Sequence, residues 1–465
     1  MALHTPDNQA GAVSVAVRQA RLCKAQKYLR LWLLVIAISA ILPVAGYSPV
    51  YAADPIEGEQ YCEALISRIE FSGNKKTRDS VLLEQLQLSV GDQCNLDPII
   101  DGVQSIMDLG LFRRVVASLH SVDEQLVLRY TMVEKIFFFP IPRFSRTSDG
   151  ELRYGAQLRW DNFQGLNHQL KMTVERREQD DGSGHAGQHY EVEYLIPRFL
   201  GSDFGFATEL RHRRQRRDLS QDRKDFGHAD ASDNIVKLQL SKWVNQGGVT
   251  RGLRYRAGIR LQQRSLRLEA GEFGPFSEGL DVALNVGFEK RDVHDDLFRL
   301  RGRVYGLNLQ LSSSDFGSDF SYNRTDIYYR RYKPLSGLKL RNLNYQIRLG
   351  VSNAGPFGER QFELGGGERL RGMQPDFRSG DVLVLANIEY LTALPRNQAL
   401  RGVLFADIGN VYEQNDVNLL EQEFGAGVGV RWKLLSFSNT DLRLDAAWDN
   451  RESRFRYYFS TSLTF

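Results

Sequence analysis

Beyond its N-terminus the sequence has no apolar run long enough to cross a membrane as a helix, which takes about 20 residues. If the protein lives in a membrane, it must therefore do so as a barrel, the other fold that pairs every backbone group in lipid. Catalytic signatures are also missing. No G-x-S-x-G, H-E-x-x-H or G-x-x-x-x-G-K occurs, and no enzyme activity or cofactor is expected. The eight histidines are scattered, with His185, His189, His212 and His228 near polar loops, where a lone histidine is more often solvated than a metal ligand. Cysteine is scarce: three residues and no C-x-x-C, which supports neither a redox motif nor a zinc knuckle. Excess charge is absent as well. The formal net charge of +3 is too balanced to argue for nucleic acid or a polybasic membrane patch. What remains is a 465-residue chain, 42% hydrophobic and 25% charged, that reads as folded and long enough for two or three domains.

The first 52 residues read as a signal peptide. Arg18, Arg21, Lys24, Lys27 and Arg30 precede an apolar run over 31–46, closed by Pro43. Val50-Tyr51-Ala52 then fits the small-residue cleavage rule, with Ala53 as the first mature residue. The alternative is a retained inner-membrane anchor, for which the run is short. Cys23 leaves with the signal. Cys62 and Cys94 remain in an oxidising compartment, where a disulfide is expected and two buried thiols are the alternative.

Residues 62–135 read as a small α/β domain. Residues 66–73 alternate like a half-buried strand and end at a glycine turn. Thr77 or Asp79 is expected to cap a helix carrying Val81, Leu82, Leu86 and Leu88, and Gly91-Asp92 to break it. Asn95 or Asp97 starts a second helix, with Ile99, Ile100, Val103, Ile106, Met107 and Leu109 at helical spacing, and Gly110 stops it. Strand-like runs follow at 115–119 and 126–133. This order, with Ser72-Gly73-Asn74 after the first strand and Gly110-Leu111-Phe112 before the second, resembles a POTRA domain. That resemblance implies a docking module whose exposed strand edge takes an unfolded client.

From 136 to 465 the period is two. Strand-like runs fall at 136–145, 151–160, 166–177, 188–197, 203–213, 234–244, 249–266 and 280–291. Eight more fall at 299–311, 319–332, 339–352, 381–392, 401–412, 424–435, 441–448 and 455–465. Segments of about ten alternating residues can cross a bilayer when tilted. The connections alternate between short turns and longer polar loops at 178–187, 214–233, 267–279 and 353–380, as in outer-membrane barrels. The expected fold is an all-β transmembrane barrel of sixteen antiparallel strands preceded by the α/β domain. The final strand carries Leu463 and the C-terminal Phe465 at alternate positions, with Tyr458 upstream of them, which resembles the signal that barrel-assembly machinery reads on its clients.

The longest loop contains Leu364-Gly365-Gly366-Gly367 and then Leu370-Arg371-Gly372-Met373. Further on stands Phe405-Ala406-Asp407-Ile408-Gly409. Together they resemble the V-R-G-F/Y loop and F-x-D-x-G strand of the BamA/TamA superfamily, although Met373 stands where the family usually has an aromatic. The resemblance implies that the loop folds into the lumen and that Arg371 pairs with Asp407. A guanidinium gripping a carboxylate gives direction as well as attraction, and glycines let the backbone approach the wall.

The resemblance implies an outer-membrane location, with the POTRA-like domain in the periplasm and unfolded outer-membrane or secreted proteins as clients. Three functions stay open: an assembly and insertion factor, a specialised accessory one included, which is favoured; a secretion transporter; and a clientless pore or structural barrel. A transporter implies a plug helix ahead of the POTRA-like domain, for which residues 53–61 leave little room, and a pore has no need of a docking module. The cluster Arg211, Arg213, Arg214, Arg216 and Arg217 could meet lipopolysaccharide phosphates, or be a solvated strand end. Pro140 and Pro142 in the first barrel strand give no N–H to a ladder, so the seam with the last strand is expected to be weak. Alternatively, they mark the exit from the linker.

Overall fold

The computed structural model describes residues 56–460, apart from 147–150, 180–185, 222–223, 245–250, 296–297, 336–339, 376, 395–396, 439–440, 450 and 452–454. The signal segment, Leu463 and Phe465 lie outside the described residues.

The N-terminal domain is a three-stranded sheet with two helices. Strands β1 (Ile66–Ser72), β2 (Phe112–Val122) and β3 (Gln125–Glu134) lie in the order β1-β3-β2, with β1 parallel and β2 antiparallel to β3. Helices α1 (Asp79–Leu83) and α2 (Leu96–Asp108) join β1 to β2. Ile99 and Ile106 on one face of α2 pack with Val81 and Leu82 of α1 against Leu119, Leu128 and Tyr130 of the sheet. Asn95 caps α2, its side chain accepting from the Asp97 N–H at 3.1 Å. Gly110, at φ 73°, leads the chain out.

The first helix is shorter than its apolar spacing predicts. It ends at Leu83, although Leu86 and Leu88 still pack on the core. Two long-range demands override the local pattern. Thr77 does not cap α1; its N–H and hydroxyl instead donate to Glu134 at 2.7 and 2.6 Å. Downstream, the chain returns beside the start of β1, with the Gly91 N–H donating to the Ile66 carbonyl and the Ile66 N–H to Asp92. Cys62 and Cys94, with Cα atoms 5.2 Å apart, are joined there as a disulfide.

The rest is one antiparallel sheet of sixteen strands. In chain order they begin with β4 (Phe138–Arg146), β5 (Glu151–Phe163), β6 (His168–Gln179), β7 (Ala186–Ile196) and β8 (Phe204–Gln221). Next come β9 (Lys224–Val244), β10 (Gly252–Gly271), β11 (Gly279–Asp295), β12 (Leu300–Ser312), β13 (Tyr322–Pro334) and β14 (Asn342–Ser352). A hairpin of β15 (Phe362–Leu364) and β16 (Arg378–Gly380) sits in the long loop. The wall resumes with β17 (Val382–Leu394), β18 (Asn397–Tyr412), β19 (Glu423–Lys433), β20 (Asp441–Asp449) and β21 (Phe455–Ser460). The sheet runs in chain order from β4 to β21, which are its terminal strands. Each of the sixteen expected strands is present.

One expected loop is mostly strand, and a second is shortened at its start. The described residues of 214–233 belong to β8 and β9, and β10 continues to Gly271. The sequence hides this because the outward positions turn polar beyond the apolar band: Leu210 faces Val236, whereas Arg214 faces Ser232 and Arg216 faces Asp230. The backbone ladder needs no apolar side chain and continues regardless.

Side chains cross the end of the barrel that receives the linker. Lys433 on β19 bonds Asp295 on β11 at 2.8 Å, and Arg401 on β18 donates to the carbonyls of Phe298 and Leu340. The N-terminal domain docks on the same end. Arg78 holds the β5–β6 turn through Gly165, Glu84 pairs with Arg198 at 2.9 Å, and the Asp108 carboxylate accepts from the Asp295 N–H at 3.1 Å. Lys135 in the linker donates to the Gly110 carbonyl at 2.9 Å.

Candidate functional site

The chemistry of the barrel is on its inside. Period two sends every second side chain into the lumen, and on β17, β18 and β20 those positions include Glu389, Asp407 and Asp445. All three carboxylates are fully buried, and the long loop between β14 and β17 places Arg371 among them.

Arg371 is 1% exposed and grips Asp407 through both ends of its fork, Nε and Nη2 donating at 2.6 Å each, while its backbone N–H adds a third bond at 3.0 Å. Its other terminal nitrogen reaches Glu389 at 2.5 Å and Asp445 at 3.5 Å. The guanidinium also lies over the Phe405 ring, 3.6 Å from its centroid. Arg431 joins Glu389 to Asp445, and Arg443 bonds Asp445 at 2.6 Å. Three guanidiniums therefore meet three carboxylates, a balance that burial demands.

The backbone of the loop explains its glycines. Gly365 and Gly366 have φ of 102° and 87°, and Gly372 has φ of 97°. The approach to the wall is close enough that a Cβ on Gly425 of β19 would stand 1.8 Å from the Arg371 carbonyl oxygen. Leu370 and Met373 are buried with Phe362, Leu364, Leu383, Leu385 and Val411. Gly409 lets β18 pack closely on Val384 and Leu385. Tyr458, on the last strand, donates its hydroxyl to the Met373 carbonyl at 2.8 Å and accepts from the Gly372 N–H at 3.1 Å. The loop thus holds the terminal strand of the sheet.

The other arm of the loop crosses toward β8–β14. Glu359 takes ion pairs from Arg217 and Arg264, and Arg264 stacks on Phe357 with its guanidinium 4.3 Å from the centroid. Between this arm and the wall lies a cavity of about 530 Å³, lined by Arg256, Arg260, Arg324 and Arg348 among others.

The Omp85 superfamily domain matches residues 162–465, well over half of the sequence. The chain belongs to the Omp85 superfamily. A second family match, the POTRA domain described as a surface antigen variable number repeat, covers residues 64–135. No curated protein sequence matches this Omp85 chain. Among solved structures, BamA from Haemophilus ducreyi lacking POTRA domains 1-3 is 16% identical, with a TM-score of 0.52 over 85% of this chain and 83% of that one. CdiB from Acinetobacter baumannii is 13% identical, with a TM-score of 0.57 over 85% and 73%. CdiB from Escherichia coli is 14% identical, with a TM-score of 0.60 over 86% and 75%. These likenesses establish the fold. Omp85 proteins are outer-membrane barrels that insert or transport other proteins and are not enzymes.

The structure divides the arginine cluster of β8. Arg211, Arg213 and Arg217 face the lumen, paired with Glu191, Asp233 and Glu359. Arg214 and Arg216 face outward, paired with Asp230 and Glu269. Sequence reasoning missed Glu389, Asp445, Arg431 and Arg443. Their signal was present: each stands at a lumen-facing position of a strand that flanks β18 or lies next to one that does.

Proposed function

We propose that this Omp85 barrel inserts client proteins into the outer membrane. Its signal peptide is removed before Ala53, its POTRA domain docks unfolded segments in the periplasm, and its wall opens sideways between β4 and β21. One observation carries the reading. The register of β4 with β5 runs unbroken through Pro140, opposite Leu158, and Pro142, opposite Ala156. A ladder passes a proline only where the ring nitrogen faces away from the partner strand. Both nitrogens therefore face the edge of the sheet where β21 would close the barrel. Each hydrogen bond missing from that seam removes about 0.5–1.5 kcal/mol of net stabilisation. An opened seam would offer strand edges to a client in lipid.

Two further features fit this reading better than a passive pore. The lumen is crossed by the Arg371 loop and, at the POTRA end, by the Lys433–Asp295 pair. The same loop holds β21 through Tyr458, so the anchor and the moving strand are mechanically joined.

The test is a reversible lock. One cysteine is placed in residues 143–146 and one in residues 457–460, and the pair is oxidised in vivo. Locking should abolish insertion and reductant should restore it. Normal activity of the locked barrel would favour passage through the lumen, the route of a secretion transporter. N-terminal sequencing of the membrane form should begin at Ala53.

A further inference from the structure

The outer wall carries a second feature, away from the lumen. On β11 to β14, Phe288, Tyr305, Tyr329 and Tyr345 face outward near the POTRA end. Tyr305 is 38% exposed, whereas Val304 beside it is 3%. Tyr305 lies opposite Tyr329, and the Tyr329 and Tyr345 rings stand 6.1 Å apart. Such a row marks the edge of the apolar band on a membrane barrel. Above it the outward positions are Val286, Leu311, Ile327, Ile347 and Leu349, all exposed and apolar.

Below the row, at the same outward parity, come Lys290, Arg303, Arg331 and Lys333. Arg303 stands directly opposite Arg331, and Lys290 opposite Tyr305. Arg331 also faces Tyr345, and Lys333 faces Leu343. Like charges directly opposed destabilise a sheet. Among the described residues none of the four makes an ion pair. Among the described residues the one carboxylate in register is Asp292, opposite Arg303, and its Oδ1 lies 3.8 Å from Nε2 of His294. The far end of the wall is built differently. There Arg214 and Arg267 share Asp230, and Arg216 has Glu269. Arg214, Arg216 and Arg267 are paired with carboxylates at one end, whereas Arg303 and Arg331 at the other stand opposite each other without one.

We infer that Lys290, Arg303, Arg331 and Lys333 bind the phosphate-bearing headgroup of an anionic glycerophospholipid in the leaflet facing the POTRA domain. The aromatic row sets the depth: its rings sit at the hydrocarbon boundary, and side chains one or two residues further along reach the phosphates. Arg303 and Arg331, side by side on neighbouring strands, present two guanidinium forks to one phosphate, which relieves their mutual repulsion. The inference depends on the barrel lying in a bilayer with its POTRA domain outside it, and holds whether the protein inserts clients or transports them.

The full-length protein as purified is reconstituted in nanodiscs of zwitterionic lipid with a minority of phosphatidylglycerol. Lipid retained after detergent extraction is then counted by mass spectrometry. The wild type should retain phosphatidylglycerol above its share of the disc. The double variant Arg303→Gln/Arg331→Gln should lose roughly tenfold of that enrichment. Arg214→Gln/Arg267→Gln, at the opposite end, should keep it. Equal retention by the wild type and the Arg303/Arg331 variant overturns the inference. Loss of the enrichment in millimolar inorganic phosphate overturns the lipid as ligand in favour of free phosphate. Lys290→Gln/Lys333→Gln reads the same patch if the arginine variant does not fold, and unchanged retention there also overturns it.

Discussion

The POTRA domain and the barrel bury their interiors by opposite chemistry. The POTRA core is apolar: Ile66, Leu82, Ile99, Ile106, Leu119 and Leu128 pack with almost no ionised group, and one disulfide staples the edge. The barrel interior is ionic. Where the POTRA domain puts leucine, the lumen puts Arg371, Asp407, Glu389, Asp445, Arg431 and Arg443. A small soluble domain exposes its polar residues to water and hides its apolar ones. A membrane barrel gives its apolar face to lipid, so its inside inherits the charges. Apolar packing is tolerant of shape and indifferent to pairing. An ionic interior is stable only while every charge has its partner.

The comparison is most sharply broken at Arg371. Arg371→Ala or Asp407→Ala leaves uncompensated charge in a closed network and should cost about 3–5 kcal/mol of barrel stability by urea unfolding in detergent micelles. The double variant should be little worse than either single one, since Arg431 and Arg443 still face Glu389 and Asp445. Strictly additive losses would show that the two residues do not act as a pair. In the POTRA domain the matching experiment is Leu128→Ala. A buried leucine replaced by alanine loses about 2–5 kcal/mol. That loss should appear as protease sensitivity of residues 56–135, with heat-modified migration of the barrel unchanged. Reduction of Cys62–Cys94 should come next, at about 2–4 kcal/mol, again confined to the POTRA domain.

Lys135 tests the junction between the two interiors. Burial, with Lys433 nearby, lowers its pKa to about 8 from 10.5. The folded protein then releases this proton near pH 8, whereas the unfolded chain holds it to about 10.5. Between those limits the unfolded state binds more protons, so stability rises with pH. The burial penalty is fully present below pH 8 and relieved by about pH 10.5. The unfolding free energy should climb between pH 8 and 10 in the wild type, by at most about 1.4 kcal/mol per unit, and climb less in Lys135→Met. The smallest expected effect is Tyr458→Phe, which removes a hydroxyl bonded to the loop and costs about 0.5–1.5 kcal/mol. Its readout is faster labelling of a cysteine placed at Met373.

Much of this architecture is legible in one dimension because a barrel strand is a local object. Period two follows from the extended backbone, and the outward half of each strand must be apolar to meet lipid, so the sixteen strands announce themselves within windows of ten residues. The local pattern ends where lipid ends. Strands β8 to β10 continue beyond the apolar band with polar residues on both faces, and nothing local separates such a strand from a loop. Helix α1 fails for a related reason. Its apolar spacing continues to Leu88, but the return of Gly91 to Cys94 beside Ile66 takes the chain out of helix after Leu83.

The sequence by itself determined the strands, their inward and outward faces, the glycines of the long loop and the two prolines of β4. These depend on backbone conformation and on residue type. Tertiary structure alone decided which charges meet. Glu389, Asp445, Arg431 and Arg443 lie 18 to 74 residues from Arg371 or belong to strands that never contact it in sequence, and only closing the wall around the loop brings them within 3.5 Å of a partner. The bare cations on β11 to β13 are the same lesson on the outer face. Each is an ordinary lysine or arginine in its own strand, and the register between strands makes them one patch. Coulomb's law acts through space, and the order of residues along a chain does not fix that distance until the fold does.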